Sequence, residues 1–108
     1  MIPGGKLGMK IVGSGFRATR NKSGVKNAFD HWYKHKGEFP EFQNSLQYVK
    51  GTRNFIDNSP VGTLTKTRKN GDTLLYNIKT NTFAAKDING NTKTMFRPKG
   101  GLEYWKNQ

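Results

Sequence analysis

The chain reads as one α+β domain, with N-terminal helices packed on one face of a four-stranded or larger antiparallel β-sheet, and three observations predict this. Apolar residues recur at helical spacing only before Pro60, period-2 runs of Thr and β-branched residues occur only after it, and Asn-Gly turn pairs punctuate the second half. With 108 residues the chain has room for a single core, and seven Phe, four Tyr and two Trp supply large pieces for it although only 32% of residues are apolar.

Residues 1–23, rich in Gly and basic side chains, read as a linker or arm with one short strand expected at Lys10 to Val12; the domain proper is expected over 24–108. From Val25 the pattern turns helical. Val25, Ala28, Phe29 and Trp32 form a stripe, Ser23 can cap it, and Gly37 sits where a helix stops, which predicts a helix over 24–36. A second helix is expected over 44–57, with Asn44 as cap and Leu46, Val49, Phe55 and Ile56 on one side. After Pro60 the segments "GTLTKTR", "TLLYNI", "FAAKD" and "TKTMFRP" read as a four-stranded meander, and Asn70-Gly71 and Asn89-Gly90 match the type I′ preference for two positive φ angles.

Charge narrows the function classes. Nineteen Lys and Arg face seven Asp and Glu, a net +12, with eight positive and one negative charge in 1–36, two and three in 37–62, and nine and three in 63–108. Two basic flanks around a neutral middle favour a polyanionic partner, nucleic acid before anionic membrane. No apolar run is long enough to span a bilayer, so no stable membrane association is expected, and the absence of cysteine excludes thiolate metal sites and disulfides.

The two histidines, His31 and His35, lie one helical turn apart in "HWYKHKGEFPEF". That spacing suits a shared metal, yet Trp32 stands where a zinc-protease helix carries its Glu and no further ligands cluster nearby, so neither a metal nor another cofactor is expected. His35, at the edge of the apolar stripe between Lys34 and Lys36, is the better placed for proton transfer, because partial burial among cations favours the neutral imidazole. In the last strand, period 2 places Thr92, Thr94 and Phe96 on one face and Lys93, Met95 and Arg97 on the other. Hydroxyl, aromatic plate and cation, the last from Lys66 and Arg68 if their strand stands beside this one, are what an RNA phosphate and an unstacked base require; Tyr76 is a second stacking candidate. A non-catalytic nucleic-acid-binding module is the alternative reading of the same residues.

The runs "HWYKHKGEFPEF", "QYVKGTRNFI", "PVGTLTKTRKNGDTLLYNIKTNTFAAKDINGNTKTMFRP" and "LEYWKNQ" resemble the C-terminal toxin domains of bacterial polymorphic and contact-dependent inhibition toxins, and more distantly the tRNase domain of colicin D. The resemblance covers about residues 26–108. It implies a barnase/EndoU/colicin/RelE-type fold and metal-independent cleavage of RNA, often tRNA. It also implies secretion or delivery within a larger toxin, action in the target-cell cytoplasm, and neutralisation by a dedicated immunity protein in a heterodimeric complex. Carried over by position, Lys34 and His35 match the lysine-histidine pair before an acidic-aromatic dipeptide, and Thr94 and Phe96 match the hydroxyl and aromatic of the last strand. The family's lysine one turn before the histidine falls on Trp32. The missing cation is then expected from Lys34, Lys66 or Arg68, which gives a site of His35, Thr94 and Arg68 with RNA contacts from Lys34, Lys66, Tyr76, Thr92, Phe96 and Arg97. The +12 charge points to an acidic surface on the immunity protein.

Overall fold

The computed structural model describes residues 15–108; the strand expected at Lys10 to Val12 lies outside them. Two helices come first, α1 (Gly24–His35) and α2 (Ser45–Asp57), separated by a 3-10 turn over Lys36–Glu38. Both expected caps form. The Ser23 hydroxyl accepts from Lys26 N–H at 3.1 Å and the Asn44 side chain from Gln47 N–H at 2.9 Å, each satisfying a first-turn donor that the helix itself cannot.

The sheet follows as β1 (Leu64–Thr67), β2 (Thr73–Asn77), β3 (Thr82–Lys86) and β4 (Thr92–Phe96), antiparallel throughout and ordered β1-β2-β3-β4. This is the expected meander. The Asn-Gly turns, however, are not type I′. Gly71 and Gly90 have φ of 93° and 86°, whereas Asn81 is the sole non-glycine with positive φ among the described residues. Each Asn-Gly hairpin closes as a three-residue loop with one left-handed residue, the terminal Gly, as the pairs Arg68 N–H to Asp72 C=O and Asp87 N–H to Asn91 C=O require. The side chains of Asn70 and Asp87 stabilise this form by accepting from Asp72 N–H and from Asn89 and Asn91 N–H.

Two clusters fill the two faces of the sheet. Leu75, Ala84 and Met95 stand in one cross-strand row and pack against Ala28 of α1 and Tyr48, Phe55 and Ile56 of α2. The opposite face carries Leu74, Tyr76, Phe83 and Ala85, covered by Trp105 from a short helix α3 (Leu102–Lys106) for which the sequence pattern gave no expectation. Five residues are too few for helical periodicity to register. The helical stripes also shift: Ala28 is buried and Trp32 packs on the core, but Val25, Phe29 and Leu46 are exposed, and Tyr48 and Thr52 are buried instead.

Part of the expected arm belongs to the fold. Phe16 is buried in the helix-side core, and residues 15–17 pair with the outer edge of β4 through Arg17 N–H to Thr92 C=O and Thr92 N–H to Gly15 C=O. A β-bulge between Ala85 and Lys86 interrupts β4 at the same place. It displaces Lys93 into an ion pair with buried Asp72 and turns Thr92 out of the row of Thr94 and Phe96, onto Arg53 of α2.

Candidate active site

Strand alternation keeps Thr94 and Phe96 on the α3 side of β4, and α1 lies along that edge, so the four-residue spacing of its histidines meets the two-residue spacing of the strand. His31 Nδ1 and Thr94 Oγ1 are 3.2 Å apart; the His35 ring stacks on Phe96 with centroids 5.4 Å apart and planes 20° from parallel. The imidazoles stack on each other at 5.9 Å, and Phe16 closes the column at 5.5 Å from His31.

Glu38 fixes the second histidine. Its Oε2 lies 3.0 Å from His35 Nδ1, three residues back across the end of α1, while its Oε1 accepts from Arg97 N–H at 2.8 Å. The Arg97 guanidinium sits 4.4 Å over the Phe39 ring, donates to Glu38 C=O, and makes two bonds to Glu41 at 3.0 and 2.6 Å. A carboxylate on Nδ1 selects the tautomer with its proton there and leaves Nε2 as the basic nitrogen.

Burial, the neighbouring His35, and the charges of Lys34 and Lys22 together push His31 down to about 4, against an opposing pull from Asp30, so this imidazole is neutral near pH 7. Beside it a cleft of about 180 Å³ is lined by Lys22, Asn27, Asp30, His31 and Lys34. Asp30 is held below the usual carboxylate range by hydrogen bonds from Lys22 and Lys26.

His35, Thr94 and Phe96 therefore share one corner with His31, Lys34 lines the cleft beside His31, and several other candidates lie elsewhere. Lys66 and Arg68 are not beside Thr94: β1 and β4 are opposite edges of the sheet, three interstrand spacings or about 14 Å apart. Lys66 Nζ is also engaged, bonded to Trp105 C=O at 2.7 Å and Gln108 C=O at 3.2 Å and placed 4.5 Å over the Trp105 ring, and Arg68 donates to the Gln108 side chain. Tyr76 is core, stacked on Trp105 with its hydroxyl bonded to Asn81 at 2.6 Å. Thr92 is fully buried by the bulge, and Arg97 borders the site with its charge matched by Glu41. Glu38 was legible only as the acidic residue after "KH"; a Glu three positions from a His at a helix end is the signal that could have found its role. Tyr104, edge-on to Phe96 at 5.5 Å, comes from the helix that the pattern missed.

Among the described residues no three His, Asp or Glu side chains are grouped as a metal site needs, and no helix is long and apolar enough to cross a membrane.

No family model matches the chain, and no curated protein does. Among solved structures it is similar to a ribonuclease from Escherichia coli complexed with its inhibitor protein, with a TM-score of 0.52 and 16% identity over 73% of this chain and 95% of that one. The fold is ribonuclease-like. At this identity the likeness concerns the arrangement of helices and sheet, which agrees with the fold implied by the resemblance drawn from the sequence.

Proposed function

We propose that this chain is an endoribonuclease, the toxin domain of a delivered antibacterial protein, cleaving RNA by metal-independent transesterification. The observation that carries the reading is the Glu38-oriented imidazole of His35, stacked on Phe96 beside the His31–Thr94 pair, in a chain of net charge +12 with a ribonuclease-like fold.

RNA brings its own nucleophile, so the protein has to move protons and stabilise charge. Nε2 of His35 takes the proton of the 2′-OH, with Glu38 stabilising the resulting imidazolium. The 2′-oxygen bonds to phosphorus, the bond from phosphorus to the 5′-oxygen breaks, and the proton returns from His35, directly or through water, to that oxygen. The products are a 2′,3′-cyclic phosphate and a 5′-OH. Thr94 and Lys34 donate to the phosphate oxygens, and Phe96 with Tyr104 offers apolar surface to a base. Lys34 replaces Lys66 and Arg68 as the phosphate cation in this reading, because it flanks His31.

Transfer RNA is the proposed substrate and the target-cell cytoplasm the proposed place of action, on the strength of the sequence resemblance. A ribonuclease made in a cell that needs its own RNA has to be silenced, so an acidic immunity protein laid over the α1–β4 corner is the proposed partner. Opposite charges would steer that encounter, raising association toward roughly 10⁸ M⁻¹s⁻¹ at low salt.

A second reading has its own support. The His35 side chain is only 11% exposed and lies between two rings, as a bridge holding α1 to β4 would. That favours a nucleic-acid-binding module with structural histidines. Incubating total RNA with the protein in EDTA separates the two: discrete fragments ending in cyclic phosphate are expected, and intact RNA that is nevertheless bound would establish the module.

A further inference from the structure

The solvent face of α1 carries an apolar ridge that the core does not use. Val25, Phe29 and Tyr33 recur every four residues and are 62%, 49% and 66% exposed, and the rings of Phe29 and Tyr33 stack with centroids 6.4 Å apart and planes 22° from parallel. Three exposed apolar residues in line on one helix are more than the scattered exposure that folded surfaces ordinarily show. Cations flank them. Lys36 Nζ sits 4.6 Å over the Tyr33 ring, Lys26 stands on the same helix with its side chain 62% exposed, and Lys34 makes no salt bridge among the described residues. Asp30 is the sole carboxylate of α1, and Lys22 and Lys26 already neutralise it.

The ridge lies around the helix from the histidine corner. The cleft beside His31 is lined by Lys22, Lys34 and Asp30, and the helical turn places Lys26 and then Tyr33 and Phe29 beyond Asp30 on the far side of α1. A helix with its side chains is about 10–12 Å across, so the path around it from the cleft to the ridge is about half its circumference, within reach of a short single strand. Base faces stack on exposed aromatic rings whatever the sequence, and lysines between the rings neutralise the connecting phosphates.

We infer that the solvent face of α1 is an extended single-strand RNA subsite, in which the strand leaves the phosphate held by Lys34 through the cleft beside His31 and Tyr33 and Phe29 stack the flanking bases. This rests on the ribonuclease reading for the direction of the strand, and not for the binding itself. An acidic protein would also match the lysines. The parallel rings with a cation over one of them, running on from a lysine-lined cleft, fit a strand of alternating bases and phosphates more closely.

The test uses the full chain and two probes, a 2′-O-methyl RNA 12-mer that cannot form the cyclic phosphate and a 2′-O-methyl dinucleotide, with binding followed by fluorescence anisotropy and NMR shift perturbation. For Phe29→Ala/Tyr33→Ala the ratio of 12-mer to dinucleotide affinity is expected to fall roughly tenfold, within the range for one or two lost stacks. Tyr33→Trp restores it. Lys34→Gln should reduce the slope of log affinity against log salt by about 0.7, one phosphate fewer, while the double aromatic variant leaves the slope unchanged. Because the replaced rings are exposed, a melting temperature within a few degrees of wild type confirms that the variants fold. Unchanged 12-mer affinity in folded variants overturns the subsite, as does loss of binding to an acidic protein partner without loss of RNA affinity. If the wild type binds the 12-mer through these rings yet leaves unmodified RNA intact, the subsite stands and the nuclease reading fails.

Discussion

The two edges of the sheet carry candidate RNA-binding residues, Thr94 and Lys66 in one cross-strand row, and come to different ends. At the β4 edge, Thr94 and Phe96 meet two imidazoles from α1; at the β1 edge, Lys66 and Arg68 meet the chain's own C-terminal residues. Both pairs have the hydroxyl, ring or cation that RNA recognition draws on. What differs is who holds them. Lys66 has its ammonium bound to two carbonyls and an indole face, so an incoming phosphate would have to displace all three. His35 has one nitrogen fixed by Glu38, and in the proposed reading the other is the base. Sharing a face puts residues two apart on one side of a strand, but strand order decides which of them are neighbours.

The strongest way to break this contrast is to exchange the outcomes at the two edges. His35→Ala is expected to lose roughly 100-fold or more of RNA cleavage, the scale of a positioned proton-transfer group, while binding of a 2′-O-methyl strand survives. Lys66→Met should keep cleavage within a few-fold. Equal losses from the two, measured on one labelled RNA with both proteins folded, would erase the distinction between the edges.

A pH titration sharpens it. His31 is held down to about 4 in the fold against about 6.5 when unfolded, so between these values the unfolded chain binds the extra proton and folding stability falls as pH drops. The loss should begin near pH 6.5 and be complete near pH 4, with an upper limit of roughly 3–4 kcal/mol from the size of the shift. Asp30, Glu41 and Asp72, all depressed, add their losses only as pH falls further through the carboxylate range. Urea melts at pH 7.5 and 5 should therefore differ in wild type and converge in His31→Asn. A variant that keeps the full pH 5 loss would show that His31 titrates freely and is not enclosed by the column of rings.

At the β1 edge the expected effect is one of stability. Lys66→Met removes two charge-assisted bonds and a cation over an indole, and should cost about 1–2 kcal/mol in urea unfolding. No loss would mean that the C-terminal segment is held without it. The smallest effect is expected for Arg68→Gln: it is exposed, its partner is a neutral side chain, and stability should move by less than about 0.5 kcal/mol. A shift in the salt slope of RNA binding as large as that of Lys34→Gln would bring the β1 edge back into the binding surface.

Much of the fold could be read from the residues because it rests on local rules. Ser23 and Asn44 can cap helices in any context that starts one there, and a Gly is the residue that accepts the left-handed end of a tight hairpin. The Asn-Gly pairs announced turns correctly, but whether one or two residues take positive φ depended on Asn70 and Asp87 bonding back into the loop. Val25 and Phe29 show the limit of a helical stripe: it gives a side of the helix, and the neighbour against it decides how much of that side is covered.

By itself the sequence determined the order of the first two helices and the four strands, the basic charge, the place of His35 one turn from His31, and the pairing of Thr94 with Phe96 on one strand face. Tertiary structure decided the rest. The bulge at Lys86 removed Thr92 from that face, the meander carried Lys66 and Arg68 to the far edge, and α3 buried Tyr76 beneath Trp105. The physical reason is that periodicity fixes the direction of a side chain relative to its own backbone, while a site needs side chains from several backbones within hydrogen-bond reach. That is set only when the strands are ordered and the helices are laid on them.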